Sequence, residues 1–272
     1  MSRRPGAASA PVLVLNRRGL LVLAATAGLP AAWRPARAGA TAPAPPWLAL
    51  DQVYIPALFH TGSGGRSPEA AQRAGRALAR LQAQWPALRP TLLAWRPADG
   101  GWVAALRRVE GHLQQAVQDA ARGDWPHSHE ALEGVRDTLA QARLARGEAY
   151  LLDDYTAFHG AMEAITAQAA NPAPLDRAVL RTAFTTARAL WQALLQQPPE
   201  PTLWGLSPAR LTQWRQGVQE ESDAFTALSQ ALDRPAAEVP EPALRQAAAA
   251  LKAPFVKAYI AFGLGLDEVP AR

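Results

Sequence analysis

From residue 67 onward the chain is built mainly of Ala, Leu, Gln, Arg and Glu, and it is poor in β-branched residues. Its large apolar residues recur three and four positions apart, so each segment offers one apolar stripe rather than two alternating faces. Such a chain has little from which to make strands. The expected fold is therefore all-α: a bundle of six or seven helices in a single domain over residues 67–272.

Breakers divide the pattern. Ser67-Pro68-Glu69 opens a helix, with Ser as cap and Pro in the first position; Leu78, Leu81 and Trp85 form its stripe and Pro86 ends it. Further helices are expected over about 102–122, 127–146, 148–169, 175–196, 207–232 and 241–263, the last kinked at Pro254. Residues 39–66 read as a leader and a Gly-rich loop, with Trp47 to Leu58 either a short helix or an extended segment broken at Pro56. The two halves run in a similar order, as two three-helix units around a central antiparallel hairpin. The match is in pattern, with few identities. True duplication and the general likeness of Ala/Leu-rich helices explain it equally.

Residues 1–38 carry a different signal. Asn16-Arg17-Arg18-Gly19-Leu20-Leu21 precedes an apolar, Ala-rich run to Ala32, followed by Arg34 and Ala36-Arg37-Ala38. This resembles a twin-arginine translocation signal, with cleavage expected after Ala38, although Gly19-Leu20 stand where those signals usually carry a polar residue and phenylalanine. The resemblance implies export of a folded protein to the periplasm, often one loaded with a cofactor beforehand. An ordinary secretory signal or a retained anchor is the alternative, and the apolar run is short against the about 20 residues that a membrane span needs. Six of the 28 basic residues and none of the 23 acidic ones lie in this segment, so the rest of the chain has 22 basic residues against 23 acidic. The mature chain is close to neutral, which argues against nucleic-acid binding and against a polybasic membrane patch.

There is no cysteine. Disulfides, thiolate metal ligands and covalent haem c attachment are excluded, leaving histidine, carboxylate, methionine and main-chain groups as ligands.

Two strings combine those ligands. His129-Glu130-Ala131-Leu132-Glu133 and His159-Gly160-Ala161-Met162-Glu163 each place His and Glu four residues apart, one turn along a helix face. His129 with Glu163, and Glu133 with His159, share the midpoint 146, at the turn signal Arg146-Gly147. A chain folded back there brings all four to one level. Both pairs lie about 80–130° from the centres of their apolar stripes, in the same sense. The flanks then either face each other, as a four-ligand site, or both face away, as two ordinary surface pairs. Without the turn, a continuous helix would hold His129 and His159 about 45 Å apart. Facing ligands would suit zinc, iron, manganese or copper(II).

H-x-x-x-E is similar to elements of hemerythrin-type di-iron bundles, which use more histidines than this hairpin has. Exported imelysin-type proteins are similar in being helical and in carrying His-x-x-Glu, where both strings here are one residue longer.

The first functional expectation is therefore a periplasmic metal-binding protein for delivery, storage or sensing, with His129, Glu133, His159 and Glu163 as ligands. The second is a non-catalytic module that binds an envelope protein or peptide in a groove lined by some of the eight tryptophans beyond residue 38, Trp95 and Trp204 among them. A haem bundle using His129 or His159 with Met162 is a third. No nucleophile motif, phosphate loop or dinucleotide fingerprint marks an enzyme.

Overall fold

The computed structural model describes residues 45–268, and the export-signal reading of residues 1–38 lies outside them. The described residues form α1 (Leu48–Thr61), a 3-10 turn (Gly64–Arg66), α2 (Pro68–Trp95), α3 (Gly100–Ala121), α4 (Trp125–Leu144) and α5 (Leu151–Ala170). Helices α6 (Arg177–Leu195), α7 (Pro208–Asp233), α8 (Glu241–Ala249) and α9 (Lys252–Ile260) follow. No strand occurs among the described residues, so the all-α bundle is observed. No helix there is long and apolar enough to cross a membrane.

The helix starts follow from short polar caps. Ser67, Asp99, Asp124, Asp176 and Ser207 each accept a backbone N–H of the first turn, which satisfies a donor the helix leaves open. The end of α4 is equally local. Gly147 takes φ +66°, Gly147 N–H donates to Leu144 O and Glu148 N–H donates to Arg143 O. That pair of bonds is a Schellman cap, and it needs a residue tolerant of positive φ. The chain therefore turns where Arg146-Gly147 predicts.

Proline placement differs from the sequence expectation in three places. The first is α1, which lies in the segment read as leader and loop. It is a helix through Pro56 and almost wholly buried, with Leu50, Val53, Tyr54 and Ile55 in the core. Pro56 cannot donate to the Gln52 carbonyl, and Leu264 N–H donates to it instead at 2.8 Å. Gly263 allows that approach: a Cβ there would stand 2.8 Å from Pro56 Cδ. Next, α2 continues through Pro86 and Pro90 to Trp95, because the carbonyls those prolines leave unpaired belong to the exposed residues Gln82 and Pro86. Finally, the segment expected as one helix over 241–263 is two. The break at Ala250–Leu251 lies one turn before Pro254, whose missing N–H leaves the Ala250 carbonyl without a helical donor.

The closest packing pairs are α1/α2, α3/α4, α5/α6 and α7/α9. Helices α4 and α5 are sequence neighbours but touch lightly. Arg143 pairs with Asp153 beside the turn, and farther along Glu133 approaches His159 and Glu163. The hairpin is thus antiparallel, with Arg143/Asp153 and Glu133/Glu163 sharing the midpoint 148 and Glu133/His159 the midpoint 146. The connection between the two helices runs from Ala145 to Tyr150. The space left as α4 and α5 separate is closed by α1 and α9.

Candidate functional site

Each wall of this space holds one part of the site. His129 lies in the first turns of α4, Glu133 one turn on, and Arg136 nearly one turn beyond that. His159 and Glu163 lie on the middle turns of α5. Lys252 and Phe255 come from α9, and Leu58 from the end of α1. Together they wall a cavity of about 750 Å³.

Glu133, His159 and Glu163 can each offer one ligand atom such that all three atoms lie within 4.8 Å of one another. His159 Nε2 is 3.3 Å from Glu163 Oε1, and His129 Nε2 is 3.7 Å from Glu133 Oε1. The facing arrangement is therefore the one adopted, but as a triad with His129 beside it rather than as four equal members. Glu133 approaches both His159 and Glu163, and His129 lies one turn outward along α4.

The histidines differ in environment. His129 Nδ1 donates to the Leu58 carbonyl at 2.9 Å, with the Thr61 hydroxyl at 3.3 Å. Helix α1 thereby fixes the ring and turns Nε2 toward the Glu133 carboxylate, so that a neutral imidazole faces that carboxylate with its lone pair. Two electron-pair donors that face each other are satisfied by a cation between them. Gly62 makes room for the ring, since a Cβ there would stand 3.1 Å from His129 Cε1. His159 is buried, 8 % exposed, and stacks on Phe255 at 5.2 Å between ring centres. Burial, reinforced by the charges of Arg136, Lys252 and His129, pushes His159 down to about 3. It is a neutral imidazole at physiological pH, the form that ligates metals. Burial also raises the Glu133 carboxyl, and the nearby Glu163 adds to this against the opposing pull of Arg136 and His129.

Two cations flank the carboxylates. Arg136 Nη2 is 3.7 Å from Glu133 Oε1, and Lys252 Nζ is 3.7 Å from Glu163 Oε1. Neither is at close hydrogen-bond distance. The Lys252 side chain is 58 % exposed, free to move aside. The spacing suits a small metal ion. Tetrahedral ligands at about 2.0–2.1 Å from zinc stand about 3.4 Å apart, so the triad needs only a modest contraction. A set of imidazole nitrogen and carboxylate oxygen fits zinc, iron, manganese or copper(II).

The remaining polar candidates go elsewhere. His127 bonds Asp124 at the start of α4, which raises its pKa, and His112 lies against Gly134. Met162 is fully buried in the apolar core. Among the tryptophans, Trp47, Trp85, Trp102, Trp191 and Trp204 are buried, and none of the eight lines the cavity.

Arg136 and Lys252 are the members that sequence reasoning missed. Arg136 had a weak signal, three residues beyond Glu133. Lys252 had none, because nothing local says that α9 crosses beside α5. No known protein family, curated protein or solved structure matches this chain.

Proposed function

We propose that this chain is an exported helical-bundle protein that binds a transition-metal ion for delivery, storage or sensing. Glu133, His159 and Glu163 are the ligands, and His129 is a further donor on the same wall. One observation carries the reading: two helices that barely touch present three ligand atoms within 4.8 Å of one another, at the wall of a cavity. Three protein ligands beside open space leave a position for a further donor. The Leu58 carbonyl on His129 Nδ1 is the kind of outer partner that orients a metal-binding imidazole. Export rests on the sequence of residues 1–38 alone.

Zinc titration of the chelator-stripped protein tests the ligand set. The parent should bind about one equivalent, His129→Ala should bind about tenfold more weakly, and His159→Ala should lose measurable binding. Equal affinity in the parent and in His159→Ala contradicts the reading. Export is tested separately by fusing residues 1–38 to a reporter active only in the periplasm. Activity should disappear in an Arg17→Lys/Arg18→Lys variant, and a reporter that stays active points to the general secretory route.

A further inference from the structure

The cavity is much larger than a metal ion. About 750 Å³ is the size of a small-molecule pocket. Its charge is also the wrong sign for a site that serves a cation alone. Arg66, Arg73, Arg136 and Lys252 line it, against the carboxylates Glu133 and Glu163. Among the described residues Arg66 and Arg73 have no carboxylate within 4 Å, while Arg136 is held only by Glu133 at 3.7 Å and its neighbour Asp137 at 3.2 Å. A largely buried guanidinium keeps its charge, and its fork matches an oxyanion. Between the cations the wall is apolar, with Ile55, Leu58, Phe59, Val256 and Ile260. Phe59 is 39 % exposed.

We infer that this cavity binds a small organic anion: an apolar body against α1 and α9 and an oxyanion, carboxylate or phosphate, held by Arg136 with Arg66, Arg73 and Lys252. The apolar wall explains why the anion carries a body. The excess of cations explains why the ligand is an anion, and it persists when the two carboxylates are counted as paired. The anion shares the cavity with the proposed metal but does not depend on it.

The test is calorimetric titration of the chelator-stripped protein with benzoate and with phenyl phosphate. Benzyl alcohol and inorganic phosphate are the controls. Saturable binding of one of the two aromatic anions, at least tenfold tighter than either control, is the expected result, and the tighter of the two identifies the oxyanion. Arg136→Met should weaken it at least tenfold. Because Arg136 is largely buried, an Arg66→Ser/Arg73→Ser variant serves as the second check: both positions are exposed, and binding should fall about threefold or more with the thermal midpoint unchanged. Benzyl alcohol binding as tightly as benzoate makes the cavity merely apolar and overturns the inference. So does the absence of binding by either aromatic anion, or binding that appears only after zinc is added. Anion binding without zinc binding would leave this inference standing and remove the metal reading. Zinc binding without anion binding would do the reverse.

Discussion

Two regions of this bundle bury ionisable groups, and they are built in opposite ways. Near the α4–α5 turn, Tyr150 Oη donates to Asp51 Oδ2 at 2.5 Å, and Arg143 grips Asp153 with Nε at 2.8 Å and Nη2 at 2.5 Å. The Arg143 guanidinium lies over Trp47 and Tyr150, and Trp95, Trp102 and Trp204 close the cluster. Here polar groups find short bonds to one another and aromatic rings fill the remaining space. At the His/Glu site the ion-pair distances are 3.3–3.7 Å, and the groups face a cavity. The first arrangement holds helices together. The second leaves lone pairs aimed at space that a ligand can fill. The difference lies in what the groups face, a filled aromatic cluster or a cavity, because pairing is incomplete in the closed region as well, where Arg143 Nη1 and Trp47 Nε1 are buried without a hydrogen-bond partner.

The ligand atoms of the open region carry the strongest consequence. A His159→Ala/Glu163→Gln variant should lose zinc affinity by more than about 100-fold while remaining folded, as judged by helical circular dichroism. If its affinity stays within a few-fold of the parent's, the open region is no more functional than the closed one.

A third buried acid tests how far pairing matters. Glu221 on α7 is wholly buried, and neither carboxylate oxygen makes a hydrogen bond. Burial pushes it up to about 9, with only partial opposition from the nearby Phe255 backbone N–H, which donates to the Leu251 carbonyl. An acid raised this way is neutral in both folded and unfolded chains below about 4.5, the ordinary glutamate value, so its contribution is intact there. The unfolded chain then ionises first, and stability drains away as pH rises from about 4.5 through about 9. Glu221→Gln should flatten this loss, which is worth a few kcal/mol at about 1.4 per pKa unit. Chemical denaturation at pH 5 and pH 9 checks it. Parallel pH profiles for parent and variant would mean that Glu221 is solvated or paired after all.

In the closed region, Tyr150→Phe strands a buried acid. It should cost about 1–3 kcal/mol in denaturant unfolding at neutral pH and leave zinc affinity unchanged. A change in zinc affinity would join the two regions into one functional unit. The smallest effect sharpens the open region. Lys252→Ala removes a cation 3.7 Å from Glu163 Oε1 and should tighten zinc binding about three- to tenfold. Weaker binding would mean that Lys252 positions Glu163 rather than competing with a metal.

The contrast between regions also explains what could be read from sequence. The caps Ser67 and Ser207 and the turn at Gly147 are local: each is settled by a few neighbouring residues, and each occurs where its chemistry predicts. The approach of Glu133 to His159 was legible because only one turn separates their helices. The departures are tertiary. Pro56 looked like a helix breaker until Leu264 N–H took up the Gln52 carbonyl. His129 stands beside the triad rather than within it, its ring held by the Leu58 carbonyl of α1, a helix the local sequence does not place there. Lys252 and the cavity itself depend on where α9 docks, information carried by packing between segments far apart in the chain.

Elemental analysis of the protein, purified without chelators or a histidine tag, decides whether the His/Glu cluster holds a metal. The expected result is about one equivalent of a single transition metal in the parent and none in His159→Ala/Glu163→Gln. A parent free of metal, with no rise in thermal midpoint on addition of zinc, copper, iron or manganese, would contradict it and make the His/Glu cluster a loose ion-pair network at the wall of a cavity.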